Sequence, residues 1–108
     1  MKDDITFEIF DSIDIRVGKI IDCQQKEGSE KLLRLTVDFG NIKKTIFSGI
    51  AKWYKNKELI GNSFLFVTNL PPRKMMDEVS EGMLLCTNTE IPVPIPITSN
   101  TPLGTALH

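Results

Sequence analysis

Apolar and polar residues alternate most regularly over Leu32–Phe39. Leu33, Leu35, Val37 and Phe39 take one face, and Arg34, Thr36 and Asp38 take the other. A period of two predicts a strand with one buried face. Gly40-Asn41 predicts a tight turn, and Ile42–Ser48 the returning strand, with Lys43 and Lys44 near the turn. Upstream, Asp14–Cys23 (DIRVGKIIDC) is rich in β-branched residues and reads as the first strand. Ile15, Val17, Ile21 and Cys23 share one face of it by alternation, Lys19 interrupts that face, and Gly18 signals a bulge or tight bend. Gln24–Glu30 is a polar loop. Ser63–Asn69 and Gly82–Thr87 read as a fourth and a fifth strand.

Three stretches depart from the strand pattern. Ile5–Ile13 places Phe7, Phe10 and Ile13 at a spacing of three, which predicts one or two helical turns. Gly49–Asn62 (GIAKWYKNKELIGN) predicts a short helix or two turns ended by Gly61. Its Trp53 and Tyr54 suit either stacking on a nucleobase or packing on the core. Ile91–Leu107 interleaves proline with Val, Ile and Leu, which bars a central strand and predicts an extended segment on a surface or at a sheet edge. Five short strands with one helix between the third and fourth are the element order of an all-β OB-fold barrel. Fold alone does not establish function.

At 108 residues the chain suits one domain with a modest core. The core is expected over about 14–87, leaving 1–13 and 88–108 as flanking segments with apolar groups to cover. No run of about 18 apolar residues exists, and the opening MKDDITFEIF carries acids in place of an apolar signal core. The expected location is the cytoplasm. Cys23 and Cys86 lie far apart with no CxxC, so two buried thiols are expected in place of a disulfide or metal site. The sole histidine is the last residue, His108, which removes His-based acid–base and nucleophile chemistry. Neither GxxxxGK[ST] nor GxGxxG occurs, so no nucleotide cofactor is expected.

A net charge of −1 conceals an asymmetry. Residues 1–15 hold five acids and one base; residues 16–57 hold ten Lys or Arg against four acids, a local +6; residues 75–108 hold four acids and no Lys or Arg. A basic middle between acidic ends points to a polyanionic partner. Lys31, Arg34, Lys43 and Lys44 fall on the ribbon of the second and third strands or at its ends. Asn69–Thr87 (NLPPRKMMDEVSEGMLLCT) adds a second concentration of polar chemistry. Pro71 and Pro72 fix the backbone ahead of Arg73-Lys74, so the pair sits on a rigid loop between two strands. That pair suits either phosphate binding or a solvated turn.

Those residues carry a resemblance. Glu27–Ile50 (EGSEKLLRLTVDFGNIKKTIFSGI) and Asn69–Leu85 resemble the tRNA-binding domain appended to many methionyl-tRNA synthetases, which also occurs as a free-standing protein and as a synthetase β chain. DxRVGKI at Asp14–Ile20, SGIA at Ser48–Ala51, the NLxPRKM loop and SEGMLL complete the likeness, which runs from Phe10 to Gly104. The resemblance implies a dimeric OB-fold that binds tRNA by shape and catalyses nothing itself. It implies a synthetase catalytic chain as partner and a homodimer; the two flanking segments, whose apolar groups need cover, are the expected contact between copies. The implied tRNA-binding residues are Lys31, Asn69, Arg73, Lys74, Ser80, Glu81 and Met83, joined by Arg34, Lys43 and Lys44 from the charge pattern. Met83 suits either contact with a base or sugar or core packing. The family's usual glycine before SEGM is replaced here by Met76-Asp77-Glu78-Val79, so a positive φ there would be strained and the two acids would repel phosphate. A related secretion-chaperone family uses the same dimeric fold for unfolded peptides and tends to lack SEGM. An extracellular signalling role, as in cytokine relatives, is disfavoured by the absence of a signal peptide.

Overall fold

The computed structural model describes residues 1–108. Its elements are α1 (Phe7–Asp11), β1 (Ile15–Gln25), β2 (Leu33–Asp38), β3 (Lys43–Ser48), α2 (Asn56–Leu59), β4 (Ser63–Val67), β5 (Arg73–Met75), β6 (Glu78–Ser80), β7 (Met83–Leu84) and β8 (Pro96–Ile97). β1 is long enough to serve two partners. Its first half pairs antiparallel with β4 (Ile15 opposite Val67 to Lys19 opposite Ser63), and its second half pairs with β2 (Lys19 opposite Asp38 to Gln25 opposite Leu33). β3 extends the sheet beyond β2 and β7 beyond β4, giving the order β3-β2-β1-β4-β7. The sheet curls strongly into an OB-like half-barrel.

Two features of β1 let it bend. A Cβ on Gly18 would lie 2.6 Å from Val37, 2.8 Å from Phe39 and 3.0 Å from Phe66, so only glycine lets these side chains meet across the barrel. A register shift between Ile20 and Asp22 then inserts a residue and swaps the faces. The face expected from simple alternation is thereby corrected. Ile20 is fully buried, Ile21 is exposed, and Cys23 returns to the core beyond the shift. The interior is filled by Ile20, Leu33, Leu35, Val37, Ile46 and Phe66, all essentially inaccessible. Phe39 meets Phe66 edge to face at 5.6 Å. Both cysteines are free thiols; Cys86 is only half-buried, against the expectation of two buried ones.

The segment after β3 forms a turn and a short helix, as its composition predicts. A turn covers Ala51–Trp53, and only Asn56–Leu59 is helical, ending before Gly61 at φ +88°. Trp53 and Tyr54 pack against the core, and the Tyr54 hydroxyl donates to the Pro92 carbonyl at 2.7 Å. Core packing is therefore the reading that holds for them.

The proline-rich tail lies at sheet edges, as expected. Pro92, Pro94 and Pro96 stand two apart, so their missing donors fall on alternate residues. The residues between them keep the ladder: Val93 and Ile95 carbonyls accept from Thr87 and Leu65 N–H, and Ile95 N–H donates to Leu85. Residues 104–107 then run along β1 through Gly104 N–H to Val17, Val17 N–H to Thr105 and Leu107 N–H to Ile15. At the other end, α1 is capped by the Thr6 hydroxyl, buries none of its residues, and stacks Phe7 near Phe10 at 6.4 Å. No helix is long and apolar enough to cross a membrane.

Candidate nucleic-acid interface

Arg73 and Lys74 stand on a ribbon, not on the loop the sequence predicts. β5 and β6 pair as Arg73 opposite Ser80, Lys74 opposite Val79 and Met75 opposite Glu78, closed by the two-residue turn Met76-Asp77. Two-residue hairpin turns require positive φ, and Met76 sits at φ 61°, the one non-glycine residue in that region. The strain expected from the missing glycine is thus present in the backbone.

Asp77 of the turn and Glu78 of β6 hold the hairpin in place. Lys26 is buried, with 7% of its surface accessible, and its ammonium lies 2.5 Å from Asp77 Oδ1 and 2.6 Å from Glu78 Oε2. Glu78 Oε1 accepts from Arg34 Nε at 2.8 Å, and Lys26 lies 5.9 Å from the centre of the Phe47 ring. Hydrogen bonds from Lys26 draw the Asp77 and Glu78 carboxyls below their ordinary range, Arg34 adding to the effect on Glu78. Asp77 and then Glu78 raise the Lys26 ammonium above its own range. Two bases therefore answer two acids within the chain, although the Asp77 side chain itself stays 81% exposed, which corrects the picture of unopposed acids facing phosphate. Arg34 is engaged by Glu78 in the free chain.

Three other candidates are committed to the architecture. The Ser80 hydroxyl is buried, accepts from Phe47 N–H at 3.0 Å and donates to the Gly82 carbonyl at 3.2 Å. Glu81 clamps the free edge of β3, its carboxylate accepting from Thr45 N–H at 3.1 Å and its own N–H donating back at 2.8 Å. Asn69 latches the N-terminal segment, accepting from Asp14 N–H at 2.9 Å and donating to the Ser12 carbonyl at 2.7 Å.

Lys31, Arg73 and Lys74 are exposed and have no carboxylate partner. Lys31 lies on the loop between β1 and β2, whose Gly28 abuts the Met76 side chain, so loop and hairpin are neighbours. Met83 is 44% exposed, a surface position and not a core one. It borders a groove of about 270 Å³ lined by Phe47, Leu70, Pro71, Arg73 and Met75. Lys43 and Lys44 are not part of this gathering. They occupy the opposite end of β3 from Ser48, about 13–17 Å away at strand rise. Lys44 there lines a separate hollow with Asp14, Arg16 and Thr68.

Sequence reasoning missed two cations. Arg16 donates Nε to Asp14 at 3.0 Å and Nη1 to the Gly104 carbonyl at 2.9 Å, tying the tail to β1. Burial pushes the Asp14 carboxyl up, but hydrogen bonds from Thr68 and Arg16 outweigh it and hold it below its usual range. The i, i+2 spacing of Asp14 and Arg16 on one strand face was a legible signal. Lys26 had none, because its partners lie 51 and 52 residues away.

The family model described as "Putative tRNA binding domain" matches residues 15–106. The methionine–tRNA ligase of Clostridium tetani (strain Massachusetts / E88) is 46% identical over 89 residues, 82% of this chain and 14% of the ligase. That of Streptococcus pyogenes serotype M1 is 52% identical over 87 residues, 78% of this chain and 13% of the ligase. The chain thus spans no more than 14% of the length of these two relatives. Among solved structures, a MetRS related protein from Pyrococcus horikoshii superposes with a TM-score of 0.93 at 33% identity, covering 99% of this chain and 100% of that one. The chaperone CsaA of Bacillus anthracis superposes with a TM-score of 0.90 at 29% identity, covering 98% of this chain and 100% of that one. With the motifs, the half-barrel and a family match across residues 15–106 in agreement, the chain belongs to this family of tRNA-binding domains.

Proposed function

We propose that this chain binds tRNA by shape, without catalysis, and serves a methionyl-tRNA synthetase as an appended domain or separate chain in the cytoplasm. The observation that carries the reading is the cluster of uncompensated cations, Lys31, Arg73 and Lys74, on a hairpin and its neighbouring loop. Cations without internal partners attract phosphate at no loss of an existing ion pair. The ligase relatives supply the synthetase half of the proposal. Arg34 joins the phosphate contacts from beside Glu78, and Met83 adds an apolar one. Lys43 and Lys44 reach a more distant part of the same backbone. Asn69, Ser80 and Glu81 act through the scaffold that aims these groups. Two chains assemble through 1–13 and 88–108, doubling the basic surface.

The test is competition among RNAs of equal length. Different tRNAs are expected to bind with similar affinity, and single strands or plain duplexes at least about tenfold worse. A strong preference for one tRNA that disappears when its anticodon is changed would overturn shape recognition. A second reading, peptide binding, is favoured by the likeness to the CsaA chaperone and by the apolar groove beside Met83. Its mark is affinity for unfolded peptide that is indifferent to salt.

A further inference from the structure

The groove under the β5–β6 hairpin combines apolar walls with a cation. Its floor is the buried Phe47, and its walls include Leu70 (45% exposed), Pro71, Met75 and Met83 (44% exposed). No carboxylate lines it. The nearby acids are all engaged: Asp77 by Lys26, Glu78 by Lys26 and Arg34, and Glu81 by the Thr45 N–H. The one hydroxyl in the lining, Ser80, already accepts from Phe47 and donates to Gly82. Arg73 is therefore the only lining side chain with free polar capacity. Such a site suits a group with an apolar flat body and an anion attached.

Resting on the tRNA-binding reading, we propose that this groove seats one unstacked nucleobase of the bound RNA between Met75 and Met83, over Phe47, with Arg73 on the adjoining phosphate. The volume, about 270 Å³, fits a single planar group and falls just short of the usual range for drug-sized ligands. Thioether and aliphatic walls press on a π-face without reading its edge. The groove accepts any base, so it adds affinity at a loop or corner where a base is already unstacked, and it adds no sequence preference. The charge balance favours this occupant over an apolar peptide side chain, because Arg73, Lys74 and Lys31 stand nearby without acidic partners.

The test measures binding of unfractionated tRNA across a salt series for the wild type, Met83→Ala, Met83→Leu and Lys74→Ala, with thermal melting to confirm folding. An apolar contact predicts that Met83→Ala weakens binding by about 3- to 10-fold while leaving the log–log salt slope unchanged, because every phosphate keeps its cation. Met83→Leu restores most of the affinity. Met83→Ala matching the wild type in both affinity and slope overturns the inference, as does weaker binding accompanied by a flatter slope. Unchanged tRNA binding with reduced affinity for an unfolded apolar peptide assigns the groove to peptide and also overturns it. If the wild type fails to bind tRNA even at low salt, the functional reading falls and this inference with it. A Lys74→Ala effect without a Met83→Ala effect refutes the groove alone.

Discussion

Met76 occupies the left-handed region, which costs a side chain about 1–2 kcal/mol relative to a right-handed conformation. What keeps it there is the β5–β6 pairing across the turn and the ion cluster on the residues that follow it: Lys26 against Asp77 and Glu78, and Glu78 against Arg34. The same cluster decides how the acids act on a polyanion. Glu78 draws Arg34 inward, so neutralising Glu78 releases one cation to the surface. Glu78→Gln is expected to raise tRNA affinity by about two- to threefold at low salt, and to do so only while Arg34 is present. Its effect on stability has a fixed sign with pH. The folded-state pKa of Glu78 lies below the ordinary 4.5, so its stabilisation is fully present above that value and is lost as pH falls through the lower folded value. Glu78→Gln therefore lowers the melting temperature by a few degrees at neutral pH, and the gap closes in acid below about 4.5. An affinity gain that survives in an Arg34→Met background would show that Glu78 acts by repulsion at a distance.

Among the elements, alternation made β2 legible, since every second residue of it is buried, and the Gly40-Asn41 turn then placed β3 beside it. β1 was legible as a strand but not as a face, because the shift between Ile20 and Asp22 lies in the pairing, not in the composition. The β5–β6 hairpin was hidden altogether. Two strands of three residues, rich in charge and joined without glycine, show no period and no turn signature. The flanking segments were legible as apolar and in need of cover. The tail finds part of its cover along β1 and β4. α1 finds none: a helix of five residues that buries nothing is too short to persist alone in water. A second copy of the chain is the partner proposed for it, together with exposed Ile91 and Val93 of the tail. Light scattering at micromolar concentration is expected to give twice the chain mass of 12.2 kDa, and the double variant Phe7→Asp, Phe10→Asp the single mass. A single mass for the wild type would contradict the dimer.

Across the whole molecule, the charge asymmetry along the chain resolves into three groups of cations with different duties. Lys26 and Arg34 lock the hairpin, Arg16 ties the tail, and the other cations make no ion pair, Lys31, Arg73 and Lys74 among them gathering at the hairpin. Counting charge from the sequence marked the basic middle but could not separate these duties, which depend on partners 44–52 residues away for the lock and 88 for the tail. Whether the free group meets phosphate is tested most directly by Lys74→Ala in tRNA titrations across a salt series. Lys74 is exposed and unpaired, so its removal leaves the melting temperature unchanged within error. If Lys74 neutralises a phosphate, the variant binds more weakly and its log–log salt slope is flatter by about 0.7–0.9 for each phosphate left without its lysine, doubled if both copies of a dimer engage one tRNA. Unchanged affinity and unchanged slope in a variant that melts like the wild type would contradict phosphate binding by Lys74, and would leave the hairpin a structural turn.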